Sequence, residues 1–201
     1  MTVSELNKEL GNIDLYLLDL ILKGSVSSDM KILDAGCGEG RNLMYFINNG
    51  FDIHGVDTNP MAIKMLQMIA KGMDKDRFVV SSIEEMPFQP NSFNFIICSA
   101  VLHFAHNHAH FHGMMSKLAE VLKSQGVLFI RMTTDIGAKN LMTERGNGIY
   151  SLADGTERYV LLQDDVLSVL EKYHLKLVTN LKSVVVVDQR SMGTLVLQKI
   201  D

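Results

Sequence analysis

Short β-rich runs alternate with helical stretches along most of the sequence. The β-rich runs stand at 31–36, 51–57, 77–82, 93–100 and 126–132. Apolar residues recur at helical spacing between several of them, at 41–50, 60–71 and 107–124. Strands that alternate with helices form parallel sheets through right-handed crossovers, because each helix must pack back onto the sheet.

The rest of the chain extends this pattern with less regular segments. Residues 4–23 have apolar spacing that predicts one amphipathic helix, while 133–163 shows little periodicity. A helix is predicted over 164–173, and β-rich runs at 175–187 and 193–200 predict an antiparallel hairpin at a sheet edge. We therefore expect an α/β fold with a doubly wound, Rossmann-like, seven-stranded sheet, mostly parallel with a C-terminal antiparallel hairpin.

The predicted helix at 60–71 carries a stripe of apolar residues, Met61, Met65, Met68 and Ile69. Methionine is a flexible apolar residue that fills gaps in hydrophobic cores. We expect this stripe to pack in the core rather than to bind a cofactor.

Length and composition are those of one globular domain. The 201 residues are 47% hydrophobic and 21% charged, so we expect a single domain over 1–201 with its own core. Within it, 1–24 is predicted to be an N-terminal helical lid and 133–163 a lid over an acceptor site. Long irregular stretches in compact domains are usually functional.

Charge and cysteine content limit the partners and the compartment. The formal net charge is -4, from 19 Lys and Arg against 23 Asp and Glu, which disfavours nucleic acid as a partner. No apolar run resembles a signal peptide or a membrane span. The two cysteines suggest neither a disulfide framework nor a metal site. We expect a cytoplasmic protein without membrane contact, and the sequence does not indicate its oligomeric state.

A glycine-rich turn follows the first predicted strand, in the segment ILDAGCGEGRN. Gly36, Gly38 and Gly40 remove side chains where the backbone turns sharply and approaches a ligand. Asp34 ends the strand with an acceptor that can hold a cationic amino group or a water. Asp57 ends the second strand, where it can accept both hydroxyls of an adenosine ribose. Together these residues predict a site for a nucleoside-bearing cofactor.

The spacing of the glycines discriminates between cofactors. A dinucleotide fingerprint, GxGxxG, requires its last glycine at the position of Arg41, where a bulky side chain hinders helix packing and the approach of a pyrophosphate. The phosphate loop GxxxxGK[ST] is absent as well. An NAD site is therefore disfavoured, and an NAD-dependent oxidoreductase remains an alternative.

Four segments, ILDAGCGEGRN, GVDTNP, SSIEEMPF and NSFNFIICSAVLHF, resemble the successive motifs of class I S-adenosylmethionine-dependent methyltransferases over about residues 30–132. The GRN ending is similar to tellurite-resistance methyltransferases, and the MPF…SFNFI portion to small-molecule methyltransferases of the quinone-biosynthesis type. The resemblance implies S-adenosyl-L-methionine as the cofactor and transfer of its methyl group, by in-line displacement, to a small-molecule nucleophile (O, N, S or chalcogen). A non-catalytic, cofactor-binding regulatory module is the other alternative. The Asn/Asp-Pro-Pro-Tyr motif of base-amine methyltransferases is absent, which further disfavours nucleic acid.

The resemblance also implies roles for individual residues. Asp34 and the backbone of 36–40 would hold the methionine part of the cofactor, Asp57 the ribose hydroxyls, and Thr58 would lie beside the adenosine. The full predicted cofactor-binding set is Asp34, Gly36, Cys37, Gly38, Gly40, Asn42, Asp57, Thr58, Ser82, Ile83 and Ser99.

The adenine end departs from the family pattern. Ser82 stands where the motif usually bears an acidic residue for the adenine amino group, and a hydroxyl can accept that hydrogen bond with less charge assistance. Glu84 or Glu85 would replace it if the register slips. Ile83 would cover the ring, and Ser99 would line the methyl-donor end together with Ala100.

His103, just after the fourth strand, is the candidate catalytic base for an acceptor that starts protonated. The alternative interpretation is a histidine that packs under the following helix or touches the acceptor passively. At the end of the fifth strand, Arg131, Thr133, Thr134 and Asp135 point toward the same crevice, although Arg131 equally suits a surface ion pair. The predicted lid over 133–163 also contains Tyr150, Arg158 and Tyr159.

The run HFAHNHAHFH contains five histidines. His106 with His110, and His108 with His112, would share a helix face at i, i+4 spacing, which permits pairs of metal ligands. A closed zinc site requires four ligands, and no thiolate or carboxylate stands at a spacing typical of zinc sites to complete the set. We therefore expect no metal and a solvated loop and helix start.

Overall fold

The computed structural model describes residues 2–201 and confirms the α/β fold. Met1, the first residue of the predicted domain and N-terminal lid, lies outside the described residues. The helices are α1 (Val3–Leu10), α2 (Leu15–Leu22), α3 (Met44–Asn48), α4 (Pro60–Ile69), α5 (His108–Val121) and α6 (Val166–Lys172). The strands are β1 (Lys31–Ala35), β2 (Asp52–Asp57), β3 (Phe78–Val80), β4 (Phe93–Ser99), β5 (Leu122–Thr134), β6 (Met142–Gly146), β7 (Ile149–Leu152), β8 (Glu157–Tyr159), β9 (Leu175–Leu177), β10 (Lys182–Val186) and β11 (Arg190–Lys199).

The main sheet has the strand order β10-β11-β5-β4-β1-β2-β3. Strands β1 to β5 pair in parallel, whereas β11 is antiparallel to both β5 and β10. The predicted hairpin at the sheet edge is thus confirmed as β10 and β11. Strand β9 also pairs with β11, so an eighth strand joins the path of seven.

The order of the strands creates a crevice at their carboxyl ends. The chain runs outward from β1 to β2 and β3, and then returns to β4 on the other side of β1. Strand order therefore reverses between β1 and β4, the position at which open α/β sheets bind ligands. Strand β1 ends there with Ala35 and β4 with Ser99.

Alternate residues of the central strands pack on opposite faces of the sheet. Leu33 and Ile96 belong to the cluster that α5 and α6 cover, while Ile32 and Phe95 belong to the cluster that α2, α3 and α4 cover. Because both faces are buried, the strands are nearly continuous apolar runs, which made them recognisable in the sequence.

The N-terminal segment differs from the single helix predicted over 4–23. It forms α1 and α2, which are separated by residues 11–14. Gly11 ends α1 with a φ of 63°, and Asp14 begins α2 by accepting a hydrogen bond from the backbone N–H of Tyr16 at 2.9 Å. The apolar spacing continues across this break, so the periodicity alone did not reveal it.

The expectation that 133–163 lacks regular structure is wrong. Strands β6, β7 and β8 form a separate three-stranded antiparallel sheet within it. The strands have five, four and three residues, which is too short for alternation to be seen in the sequence. The lid role of this segment stays a prediction.

The expectation that the methionine stripe of α4 packs in the core is also wrong. Met61 and Met68 are 63% and 64% exposed, and Ala62, Ile63 and Leu66 form the buried face instead. Helix α4 is a surface helix with an apolar outer stripe. None of the helices within residues 2–201 has the length and apolar character needed to cross a bilayer.

Candidate functional site

The glycine-rich turn after β1 lies at the crevice, and its glycines have different roles. A Cβ on Gly36 would stand 2.2 Å from Cγ2 of Val101, and one on Gly40 would stand 2.5 Å from Cδ1 of Leu66. These two positions exclude a side chain because their neighbours already fill the space. A Cβ on Gly38 would meet no atom within 4 Å. Gly38 is therefore the position of the turn where a ligand has room to approach the backbone.

Asp57 holds this turn in place. Its carboxylate accepts hydrogen bonds from the backbone N–H of Gly38 and of Asn59, each at 2.8 Å. Asn59 in turn begins α4 by accepting from the N–H groups of Met61 and Ala62. A carboxylate has about four lone-pair sites, so two acceptor sites of Asp57 remain for a ligand.

Asp34 is a buried carboxyl group without a partner. Asp34 is 1% exposed, and neither its Oδ1 nor its Oδ2 has a hydrogen-bond partner among residues 2–201. Burial raises the pKa of Asp34 to about 7; the charge of Arg41 lowers it and that of Asp57 raises it further. Such a group is costly unless a donor, above all a cationic one, pairs with it.

A first cavity of about 620 Å³ opens beside the turn and Asp57. Its apolar walls come from Val56, Val101, Phe104 and Met114. Its polar wall includes Glu84, whose Oε1 lies 2.6 Å from Nε2 of His110. A cavity of this size, mostly apolar with a few polar groups, is typical of a small-molecule site.

A second cavity of about 410 Å³ adjoins the first. The two share Ser99, Ala100 and Phe104 as common lining. Ala100 has a φ of 63°, a strained conformation for a residue with a side chain, and such residues concentrate at functional sites. Its N–H donates to the carbonyl of Arg131 at 2.7 Å, which fixes the end of β4 against β5.

His103 lines the second cavity and not the first. It is 7% exposed, its Nδ1 has no partner among residues 2–201, and its ring packs edge-on against Phe104. Burial, followed by the charges of Arg158 and Arg190, lowers the pKa of His103 to about 4. The imidazole is therefore neutral at neutral pH.

Four arginines line the second cavity: Arg41, Arg131, Arg158 and Arg190. Arg131 Nη1 lies 2.6 Å from the buried carboxylate of Asp14, and Arg190 pairs with Asp154. Arg41 and Arg158 form no ion pair with any carboxylate of residues 2–201. The guanidinium of Arg158 stands over the ring of Phe104, 4.9 Å from its centroid.

Comparison with known proteins identifies a domain family for about half of the chain. The sequence profile described as "Methyltransferase domain" matches residues 33–130, which include the glycine turn, Asp57, and Ser99 and Ala100 at the end of β4. This stretch therefore has the sequence pattern of a methyltransferase domain. Its motifs coincide with the crevice at the switch point of the sheet.

Individual relatives resemble parts of the chain. An uncharacterised methyltransferase of Bacillus subtilis, YodH, is 27% identical over 113 residues, covering 54% of this chain and 46% of that protein. The 2-heptyl-1-hydroxyquinolin-4(1H)-one methyltransferase of Mycobacteroides abscessus is 34% identical over 89 residues, covering 43% of this chain and 38% of that protein. The matches thus span less than half the length of these curated relatives.

One solved structure covers nearly the whole chain. It is the 1,6-didemethyltoxoflavin-N1-methyltransferase of Burkholderia thailandensis with bound 1,6-didemethyltoxoflavin and S-adenosylhomocysteine. The TM-score is 0.70 at 15% identity, over 98% of this chain and 82% of that one. At this identity the likeness establishes the class I methyltransferase fold.

The fold brings together six of the predicted cofactor residues. Those that line the first cavity are Gly36, Asp57, Thr58, Ser82, Ile83 and Ser99. Glu84 lines it as well, so two of the three candidates for the adenine contact, Ser82 and Glu84, line the same cavity, whereas Glu85 is not among the lining residues.

Three other predicted cofactor residues have a role in packing or folding. Cys37 is buried, with its Sγ 2.9 Å from where a Cβ of Gly55 would stand. Gly40 leaves room for Leu66, and Asn42 is buried with its Oδ1 accepting from the N–H of Asp14 at 3.1 Å. Any contact of these positions with a cofactor would therefore rest on backbone atoms.

The histidine run is occupied by protein contacts. His108 Nδ1 lies 3.0 Å from the hydroxyl of Tyr159, and His112 Nδ1 lies 2.8 Å from that of Tyr173. His110 accepts at Nδ1 from the N–H of His106 while its Nε2 faces Glu84, so Nε2 carries the proton. Within the described part of the chain, no group of three or more His, Cys, Asp or Glu side chains is arranged to hold a metal ion.

Several residues that line the cavities were not predicted from the sequence to do so. Phe104, His106, His110 and Met114 follow the shared end of β4 and line the first cavity because of the 3₁₀ turn at Leu102–Phe104 and the start of α5. Arg190 reaches the second cavity from the start of β11, and no sequence signal marks it, because its partners there come from distant parts of the chain.

Proposed function

We propose that this protein is an S-adenosylmethionine-dependent methyltransferase that acts on a small-molecule nucleophile. One observation carries the proposal: the buried carboxyl group of Asp34 lacks a partner and adjoins the turn that Asp57 holds beside the first cavity. An unpaired buried carboxylate costs free energy, which a ligand with a cationic amino group removes. The methionine part of the donor carries such a group.

The remaining lining fits the rest of the donor. We assign the ribose hydroxyls to the free acceptor sites of Asp57, and the adenine amino group to the acceptors Ser82 and Glu84. Val56, Ile83 and Met114 provide apolar surface for the adenine ring. Ser99 and Ala100 form the passage from the donor to the acceptor in the second cavity.

Methyl transfer requires few functional groups from the protein. S-adenosylmethionine supplies, when bound, a methyl group that is already activated by its positive sulfur. The chain's own residues must orient an acceptor toward that group and exclude water. Ala100 and Phe104 form part of the wall that orients the acceptor and excludes water. His103 lies in the second cavity with a neutral ring, where it can contact the acceptor or receive its proton.

The relatives support a small acceptor. The Burkholderia thailandensis structure contains 1,6-didemethyltoxoflavin beside S-adenosylhomocysteine, and the Mycobacteroides abscessus relative is named for a hydroxyquinolinone. A second cavity of about 410 Å³ accommodates molecules of that general size.

Calorimetric titration with S-adenosylhomocysteine tests the proposal. Asp57→Asn keeps one acceptor oxygen for the glycine turn and removes the charge, so we expect binding about 10–100-fold weaker than for the wild type. The exposed Asp164 lines neither cavity, and Asp164→Asn serves as the control that retains wild-type affinity. A wild-type protein that binds neither S-adenosylmethionine nor S-adenosylhomocysteine contradicts the proposal. Binding of NAD in the same assay would favour an oxidoreductase.

The same proposal extends to organisation and compartment. We propose that residues 1–201 work as one methyltransferase domain, with 1–24 and 133–163 as lids. Asp14 and Arg158 support this, because they reach the second cavity's arginine cluster from those two segments. We also propose a cytoplasmic location, in keeping with two free, buried cysteines, Cys37 and Cys98.

A further inference from the structure

We propose that the methyl acceptor is a small anion, a molecule bearing a carboxylate or another oxyanion, and that Arg158 and Arg41 bind its negative charge in the second cavity. This inference rests on the proposed function, since it names the acceptor class for that same site.

The lining of the second cavity is positively charged. Four of the residues that line the second cavity are arginines, and none is Asp or Glu. Asp14 neutralises Arg131 and Asp154 neutralises Arg190, so two positive charges remain without a carboxylate partner among residues 2–201. Guanidinium groups are the side chains best suited to carboxylate and phosphate, because their donors form a planar fork.

Arg158 is positioned to bind an anion. It lies on β8, and its guanidinium is held over the ring of Phe104, a residue that both cavities share. One of its nitrogens, Nη1, donates to the carbonyl of Glu157 at 2.7 Å, and the other donors are free of any protein partner within residues 2–201. The guanidinium of Arg158 is thus oriented at the junction of the two cavities, with hydrogen-bond donors available for a ligand.

The positive charge of the donor and the lack of a strong base in the second cavity also favour an anionic acceptor. A cationic sulfonium at the junction would face a positively charged lining, and a bound anion offsets this repulsion. Where the oxyanion itself takes the methyl group, no general base is needed, because the attacking oxygen carries no proton. This agrees with a second cavity whose one titratable non-arginine side chain is His103, a poor base because its environment favours the neutral ring.

The two arginines are not equivalent for a test. The charge of Arg41 acts on Asp34, so its replacement would disturb the donor site as well. Arg158 lines the second cavity and not the first. Arg158→Gln is therefore the informative variant, Arg158→Lys keeps the charge without the fork, and Arg145→Gln is the matched control on the same small sheet.

The experiment titrates small probes into the protein saturated with S-adenosylhomocysteine. The probes are benzoate and benzamide, 4-hydroxybenzoate and 4-hydroxybenzamide, and inorganic phosphate, and their binding is followed by calorimetry. We expect at least one anion to bind about tenfold or more tightly than the corresponding neutral amide. Arg158→Gln should bind that anion about tenfold more weakly than the wild type, and Arg158→Lys should bind it with intermediate affinity. Arg145→Gln should match the wild type, and S-adenosylhomocysteine affinity should be equal in all four proteins.

Each outcome decides a separate point. Binding by the carboxylates or by phosphate identifies which oxyanion the cavity takes. Amides that bind as tightly as the acids, anions that do not bind at all, or anion binding that Arg158→Gln leaves unchanged would overturn the inference. Failure of S-adenosylhomocysteine to bind would instead overturn the proposed function, whichever result the anion probes give.

Discussion

Two buried titratable residues, Asp34 and His103, have pKa values displaced in opposite directions by the same cause. Burial disfavours the charged form of each, so the pKa of Asp34 rises to about 7 and that of His103 falls to about 4. A cationic partner would therefore stabilise the carboxylate form of Asp34, while His103 stays neutral beside the arginines. The same physical effect leaves Asp34, beside the glycine turn, in need of a donor and leaves the second cavity without a strong base.

The stability of the unliganded protein should depend on pH through Asp34. Because its pKa is higher in the folded state than the usual 3.8, the folded protein holds this proton more tightly, and stability falls as pH rises from about 4 to about 7. Asp34→Asn removes this cost, so we expect the variant to be about 1–3 kcal/mol more stable than the wild type at pH 8. The advantage should shrink at pH 5. Urea unfolding at the two pH values measures both, and a variant less stable than the wild type at pH 8 would contradict the role given to Asp34.

Two glycines of the turn should respond differently to alanine. Gly40→Ala places a methyl group against Leu66 at a φ of 88°, so we expect a loss of about 1–3 kcal/mol in unfolding free energy. Gly38→Ala meets open space, and we expect a smaller loss of stability together with clearly weaker binding of S-adenosylhomocysteine. Chemical denaturation and calorimetry of both variants test this. Equal effects on binding would argue that Gly38 does not face the ligand.

At the scale of elements, the N-terminal segment is tied to the crevice by one buried side chain. Asp14 caps α2, accepts from Arg131 on β5 at 2.6 Å, and donates its own N–H to Asn42 after the glycine turn. Helix α1 is held more loosely, through Asn48, whose side chain donates to the carbonyls of Lys8 and Glu9. The break between α1 and α2 is what allows Asp14 to reach the site.

Asp14→Ala should therefore destabilise the protein by about 2–4 kcal/mol, because it removes a helix cap and leaves Arg131 without its carboxylate. Asp19 lies on the same helix and pairs with Lys23 at the surface, so Asp19→Ala is the control for which we expect no measurable change. Urea denaturation compares the two variants. Equal stability of Asp14→Ala and the wild type would show that the segment is not anchored through this residue.

The sequence predicted those elements whose pattern is local and long enough to read. Strands β1, β2 and β4 are apolar runs followed by glycine or polar residues, and the cofactor motifs stand at their ends, so their positions were recognisable. The break at Gly11 was hidden because apolar spacing continues through Ile13. Strands β6 to β8 are too short for alternation to appear. Met61 and Met68 were placed in the core because periodicity identifies an apolar stripe without telling which face of α4 meets the sheet.

At the scale of the whole molecule, the site has two halves of different origin. The first cavity draws its lining from residues 36–114, where motifs are contiguous with strand ends. The second gathers arginines 41, 131, 158 and 190 from four distant segments, which only the folded chain brings together. This is why much of the lining of the first cavity could be predicted from sequence and the charge of the second cavity could not.

Hydrogen exchange should separate these halves. The three-stranded sheet at 142–159 contributes Arg158 to the second cavity and no residue to the first. We expect S-adenosylhomocysteine to slow exchange at 36–40, 57–60 and 81–84, and to leave 142–159 unchanged. Protection of 142–159 by S-adenosylhomocysteine alone would show that this segment closes over the donor, contrary to its assignment to the acceptor.

A crystal structure of the complex with S-adenosylhomocysteine would show whether the crevice between β1 and β4 binds the methyl donor. We expect the ligand's amino group at hydrogen-bond distance, about 3 Å, from Asp34 and its ribose hydroxyls at the same distance from Asp57. The adenine should lie in the first cavity beside Ile83. A ligand bound elsewhere, or an Asp34 carboxyl still without a partner in the complex, would contradict the account.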